Sequence, residues 1–215
     1  NQLASEYDEN RFGNSYGQFI DFQERRILNK IFKNQSGKIL DLACGSGRLT
    51  NFATSGADAS EEMLKIAQKK HSKKEFFQAK SNDLPFEKES FQGCLTFHFI
   101  MHLDEVIFTK TIDEVHRILS KNGTFVFDIP VKSRRKILNQ NQENWHAALS
   151  FNQDEIEKFI KNKFEIRKKF GLLIIPIHRI PKRFRKYFLT FDFLLSNFGL
   201  LKNLSSYHIY ELRKI

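Results

Sequence analysis

The run KILDLACGSGRLT, Lys38 to Thr50, constrains this chain more than any other feature, because it joins an apolar strand, a carboxylate and a glycine-rich turn without interruption. Ile39, Leu40 and Leu42 read as a buried parallel strand. Asp41 sits near its carboxyl end, and Gly45 and Gly47 permit a tight turn beneath a ligand. Such a turn suits a nucleotide-like group. A dinucleotide site needs a third small residue, so that the next helix can press on the strand and meet a pyrophosphate. Thr50 occupies that place here. Asp41, four residues before Gly45, would repel a pyrophosphate but suits a cationic amino-acid group. The expected ligand is therefore S-adenosylmethionine rather than NAD.

Three further pieces follow in order: Gly56 to Ser60 with Met63-Leu64, then Leu84-Pro85-Phe86 with Ser90-Phe91, then Glu114 to Pro130, EVHRILSKNGTFVFDIP. With the first run, D-x-A-x-G-x-G through Asp41, Ala43, Gly45 and Gly47, they resemble the class I S-adenosylmethionine-dependent methyltransferases, and within these the type 11 small-molecule group. The likeness covers about Tyr7 to Phe170. It implies a cofactor site in which Asp41 meets the amino group, Asp58 with Ala59 the ribose, and Met63 and Leu84 the adenine faces, with Phe97 beside them. It also implies that the lead before the first helix folds over the cofactor. Arg11 would then pair with the cofactor carboxylate, and Tyr7 or Tyr16 would face the sulfonium; the plainer alternative is a surface cap.

Two departures stand out. The resemblance calls for an acid four positions before Leu84, yet Lys80 is there, so adenine falls to the backbone around Ser81 and Asn82, or to Asp83. Only ten residues, 48 to 57, separate Gly47 from Asp58. At ~1.5 Å per helical residue, a full helix and strand do not fit. Either the crossover is truncated or residues near Thr54 to Ala57 are missing, and the sequence favours the second.

The chain of 215 residues, 40% hydrophobic, suffices for one domain with a sizeable core. That domain spans 1–215, with an N-terminal lid and helix at about 1–36 and an insertion at about 171–206. No run of eighteen apolar residues and no signal-like start is seen, which gives a cytoplasmic expectation. Cys44 and Cys94 lack metal-ligand spacing, so neither a disulfide framework nor a metal site is expected. The net charge of +10 is carried mainly by scattered lysines, and reads first as a solvated surface and second as a nucleic-acid footprint.

Hydrophobic periodicity predicts helices over 16–32, 61–70 (with Ser60 as N-cap), 104–119 and 151–160. It predicts strands over 39–42, 75–79, 94–99, 124–129, 164–170 and 207–213, with a turn at Asn122-Gly123. This alternation is an α/β, Rossmann-like, doubly wound sheet in a three-layer sandwich, with the ligand at the carboxyl ends of the strands. The resemblance supplies seven strands in the order 3-2-1-4-5-7-6, strand 7 antiparallel. In the insertion, Arg179, Lys182, Arg183, Arg185 and Lys186 form a basic cluster beside an apolar run, Phe188 to Leu201. It is expected first to cover the substrate pocket or contact a partner, and second to touch an anionic membrane through 179–201.

Methyl transfer is an in-line displacement that needs no metal and depends on alignment. A protic acceptor needs a base, and His98 and His102, near the end of the fourth strand, are the candidates. Trp145 and His146 approach the same rim, Trp145 as a substrate wall. The function expected is methyl transfer to a small, lipophilic or aromatic acceptor, by a monomer or homodimer, yielding S-adenosylhomocysteine. The alternatives are a methyltransferase-fold interaction module, to which Lys80 points, and an RNA or protein methyltransferase.

Overall fold

The computed structural model describes residues 12–132 and 151–215. Seven strands form one sheet: β1 (Ile39–Leu42), β2 (Ser55–Asp58), β3 (Glu75–Gln78), β4 (Phe91–Thr96), β5 (Leu119–Pro130), β6 (Phe164–Leu172) and β7 (Tyr207–Lys214). Their order is 3-2-1-4-5-7-6, and β7 runs antiparallel to both β5 and β6. Among the described residues five α-helices accompany them: α1 (Ser15–Phe32), α2 (Glu61–Lys70), α3 (Glu105–Ile118), α4 (Gln153–Ile160) and α5 (Arg185–Asn197).

Alternation along the strands sorts the core into two layers. Leu40 and Leu42 of β1, Phe125 and Phe127 of β5, and Tyr210 and Leu212 of β7 pack with Phe108, Ile112 and Ile118 of α3 and Ile156 of α4. Ile39, Val126 and Ile209, between or beside them on the same strands, face the other way, onto Phe19, Ile27 and Leu28 of α1. A sheet covered on both faces explains why β1 reads as a continuous apolar run broken only by Asp41.

The helix starts follow from local chemistry. Asn14 accepts hydrogen bonds from the Tyr16 and Gly17 amides, Ser60 from Met63, and Asp104 from Ile107. Asn152 and Glu155 form a reciprocal capping box, so α4 begins at Gln153 rather than at Phe151. Other boundaries shift as well. β4 starts at Phe91, three residues before the expected Cys94. The expected turn at Asn122-Gly123 is instead an irregularity inside β5, where pairing jumps from Phe91↔Leu119 to Gly93↔Thr124.

Of the two readings of the short crossover, the truncated connection is the one seen, not the favoured gap near Thr54 to Ala57: the chain crosses without a break. The twelve residues 43–54 join β1 to β2 through a single 3-10 turn, Thr50–Phe52, which is near the shortest connection that parallel strands accept. Thr54 closes it by donating its amide to the Ile39 carbonyl at 2.8 Å and accepting the Ile39 amide on its hydroxyl at 2.9 Å. The Lys74 ammonium, reaching in from the loop before β3, holds the carbonyls of Thr50 and Ala53. Two four-residue strands do not require a full helix between them.

Candidate active site

A cavity of about 390 Å³ opens where the carboxyl ends of β1, β2 and β4 meet. Asp41, Ala43 and Gly45 line it from the first turn, Asp58, Ala59 and Met63 from β2 and the start of α2, and Ser81 and Phe97 from the far side. The two glycines of the turn differ in kind. Gly45, at φ +54°, has open space where a Cβ would stand. Gly47, at φ +80°, has Ala67 Cβ at 3.1 Å and His71 Cδ2 at 3.0 Å from that position, so it lets α2 approach and does not line the cavity.

Asp41 is buried and accepts a 2.6 Å hydrogen bond from the Thr50 hydroxyl. Burial, only partly offset by Thr50 and by Arg48, pushes its pKa up to about 7. Thr50, which breaks the dinucleotide pattern, thus anchors the carboxylate that sets this turn apart. Asp58 accepts the amides of Gly45 at 2.8 Å and Ser60 at 2.9 Å, fixing the glycine turn against the end of β2. Burial drives the Cys44 thiol far up, so it stays protonated.

Beside the cavity lies a buried charge network that sequence reasoning missed. Arg48 pairs with Asp21 at 2.5 Å and Glu24 at 2.8 Å, and its guanidinium carbon sits 3.9 Å from the Phe12 ring centre. His98 Nε2 lies 2.7 Å from Glu24 Oε1, and its Nδ1 3.4 Å from Asp128 Oδ2, as charge contacts lying off the hydrogen-bond line. The His98 amide also donates to Asp128 Oδ1 at 2.6 Å, and its φ is +55°. Burial opposes the imidazolium, but Glu24 and Asp128 outweigh it and raise the His98 pKa. Burial likewise opposes the Glu24 carboxylate, yet His98 and Arg48 hold it at about 2. The signal was present in the sequence as polar residues on the apolar face of α1: Glu24, between Ile20 and Ile27, is fully buried.

The structure separates the sequence candidates. His98 lines the cavity, and the carboxylates beside its two ring nitrogens favour its protonated form, which works against the role of base expected of it. His102 is exposed in the 3-10 turn Ile100–His102 and does not line the cavity. Asn82, Asp83 and Leu84 do not line it either. Leu84 is core, with its amide on Glu114 at 2.8 Å, while Arg117 grips the Leu84 and Phe86 carbonyls at 2.9 and 2.6 Å. The L-P-F and E-x-x-R pieces are therefore one clamp, and Ser81, bonded to Thr111 at 2.8 Å, is the wall it places. Lys80 is exposed. Tyr16 packs edge-on to His178, 6.5 Å between centres, away from the lining. Tyr7, Arg11, Trp145 and His146 lie outside the described residues. Phe12, Arg48 and Phe99 are lining residues that the motifs did not suggest.

The insertion also departs from expectation. Its α5 packs on β6 and α1, where the Gln23 amide reaches the Leu189 carbonyl at 2.8 Å and Arg26 lies 4.1 Å from the Phe193 ring centre. None of the residues found to line the cavity comes from 171–206. Asp192, inside the apolar run, is buried and accepts the amides of Ile175 at 2.8 Å and Leu173 at 3.2 Å. The segment is thus fastened to β6 and α1, and its residues stand outside the lining of this cavity. No helix among the described residues is long and apolar enough to cross a membrane.

The cavity suits a nucleoside carrying an amino acid. It offers open backbone at Gly45, a buried carboxylate at Asp41 that an ammonium would complement, and apolar walls at Met63 and Phe97. Among the described residues its one guanidinium, Arg48, is already held by two carboxylates and is not available to a pyrophosphate.

Residues 40–127 match the family model described as a methyltransferase domain. A solved S-adenosylmethionine-dependent methyltransferase of Thermotoga maritima, described as a possible histamine N-methyltransferase, superposes with a TM-score of 0.69 at 19% identity over 97% of this chain and 99% of its own. A putative methyltransferase of Bacillus subtilis is 31% identical over 140 residues, 59% of this chain and 53% of that protein. A ubiquinone/menaquinone biosynthesis C-methyltransferase of Campylobacter jejuni is 28% identical over 142 residues, 59% of each. The chain spans about half the length of the curated relatives it matches. The sheet order, the match over residues 40–127 and the lining of the cavity are together similar to those of the class I S-adenosylmethionine-dependent methyltransferases. The cofactor of this chain is S-adenosylmethionine.

Proposed function

We propose that the chain methylates a small, lipophilic or aromatic acceptor, and that Asp41, Ala43, Gly45, Asp58, Ala59, Met63, Ser81 and Phe97 hold the cofactor. S-adenosylmethionine supplies an electrophilic methyl group on a sulfonium. Asp41 would receive the ammonium, exchanging an awkward buried acid for a charge-assisted pair. Phe97 and Met63 would exclude water from the nucleoside. The acceptor atom forms a bond to the methyl carbon as the carbon–sulfur bond breaks, and the electron pair returns to sulfur, giving S-adenosylhomocysteine.

The observation that carries the acceptor class is the chemistry of the cavity wall. Phe12, Phe97 and Phe99 line it, whereas His98 has a carboxylate beside each ring nitrogen and the Asp58 carboxylate is occupied by two amides. An aromatic wall without a free base among the described residues suits an apolar acceptor whose nucleophilic atom is already deprotonated or bears no proton to lose. The similarity to a quinone-pathway C-methyltransferase points the same way. Transfer of labelled methyl from S-adenosylmethionine into cell extract, split between organic and aqueous phases, tests this. Label in the organic phase, abolished by Asp41→Ala, is expected; label only in RNA or protein overturns the acceptor class.

A second reading, a methyltransferase-fold interaction module, rests on exposed Lys80, where the resemblance places an acid. Titration with S-adenosylhomocysteine decides: absence of heat at millimolar ligand supports the module.

A further inference from the structure

Of the eleven well-exposed large apolar side chains among the described residues, eight lie between Phe184 and Leu204. Phe184, Tyr187, Phe191, Leu194 and Phe198 recur at spacings of three and four, which places them along one stripe of α5 and its flanks. The opposite side of the same helix is satisfied: Phe188, Leu189 and Phe193 pack into the core and Asp192 caps the loop after β6. A helix with one face docked and a second apolar face open has a partner to find.

The charge around this stripe identifies that partner. The segment 171–206 carries six cations, Arg179, Lys182, Arg183, Arg185, Lys186 and Lys202, and one acid, the buried Asp192. The Arg183 guanidinium lies 4.6 Å from the Phe184 ring centre and the Lys186 ammonium 5.1 Å from that of Tyr187, so cations and aromatics interleave at one level. A second cavity, of about 560 Å³, adjoins the stripe; Lys30, Arg167, Lys168, Lys169 and Lys202 line it, with Leu200 and Phe193. It combines cationic side chains with an apolar wall, the chemistry of a phosphate headgroup and the start of an acyl chain. A second copy of this chain is a poor occupant, because pairing the stripe with itself would set cations against cations.

We propose that the stripe from Phe184 to Leu204, with the basic cavity beside it, docks on the surface of an anionic phospholipid bilayer. The apolar side chains enter the boundary between headgroups and acyl chains, while Lys182, Arg183, Lys186 and Lys202 remain at the phosphates. This rests on the insertion and the adjoining faces of α1 and β6, not on the active site, and holds whichever acceptor the active site takes.

The test is flotation of the full chain with phosphatidylcholine vesicles, with and without phosphatidylglycerol. Binding is expected only to the anionic vesicles. Lys182→Glu, Arg183→Glu and Lys186→Glu together should weaken it by about a hundredfold or more, given the contribution of each basic residue near an anionic surface. Tyr187→Ser, Leu194→Ser and Phe198→Ser together should abolish what persists in high salt. These side chains are exposed, so circular dichroism and thermal melting should match the parent. Equal binding to neutral vesicles, or no flotation with either vesicle, overturns the proposal. So does a dimer in sedimentation equilibrium that the apolar triple variant dissociates, since the stripe would then be a protein interface.

Discussion

His98 Nε2 lies 2.7 Å from Glu24 Oε1, and this contact ties the loop after β4 to the core face of α1. It makes the cofactor-side loop and the N-terminal helix one electrostatic unit, because Arg48 of the glycine turn holds the other Glu24 oxygen. Glu24→Gln leaves His98 and Arg48 buried with less counter-charge and should cost about 3 to 5 kcal/mol in urea denaturation. The pH dependence has a defined sign. Glu24 is depressed from 4.5 to about 2, so its contribution is present above pH 4.5 and fades as pH falls toward 2. His98 is raised above 6.5, so its contribution is complete below pH 6.5 and is lost as pH climbs through the raised value. Stability attributable to the network should thus peak between these limits, and an unchanged pH profile in Glu24→Gln would refute the coupling.

The two glycines of the turn should answer differently to the same substitution. Gly45→Ala places a methyl in open space at φ +54°, so it should fold with a loss of about 1 kcal/mol while weakening S-adenosylhomocysteine binding. Gly47→Ala meets Ala67 and His71 and should lose more stability for less direct effect on the ligand. Calorimetric titration beside thermal melting separates the two, and identical behaviour would sink the distinction.

Asp41 should show a trade between stability and binding. Its pKa rises from 3.8 to about 7 on folding, so the ligand-free protein loses stability as pH rises across that window. Asp41→Asn should therefore raise the melting temperature at pH 8 and weaken the ligand together. In the parent, binding of S-adenosylhomocysteine below pH 7 should release a proton, seen as a dependence of the heat on buffer ionisation. A parent whose heat ignores the buffer contradicts the pairing of Asp41 with the ligand ammonium.

Arg117→Ala removes the clamp on the Leu84 and Phe86 carbonyls and should cost about 1 to 3 kcal/mol. Arg117→Lys should recover only part of this, since one ammonium cannot reproduce a planar fork that also reaches Glu114. Equilibrium denaturation of the three proteins gives the ranking, and full recovery by Lys would argue against the bidentate role.

The sequence by itself determined the sheet, because local patterning and short motifs suffice for it. Apolar runs at β1 and β5, caps at Ser60 and Asp104, and the D-x-A-x-G-x-G turn each act within a few residues, and the resemblance then supplied the strand order. Locality put Asp41 and Gly45 at one turn, and the resemblance added Ala43, Asp58, Ala59 and Met63, which the structure brings to the same cavity. Only the tertiary structure decided what depends on distant partners. Thr50 looked like a failed glycine position until it met Asp41, and Glu24 looked like an ordinary helix charge until it met Arg48 and His98. Whether the short crossover was truncated or gapped was also decided there, because the helix is dispensable when Thr54 and Lys74 supply the hydrogen bonds. In α5, hydrophobicity alone could not say which side would pack. That choice was made by Asp192, whose bonds to the Leu173 and Ile175 amides turn Phe193 inward and leave Phe184, Tyr187 and Leu194 facing out.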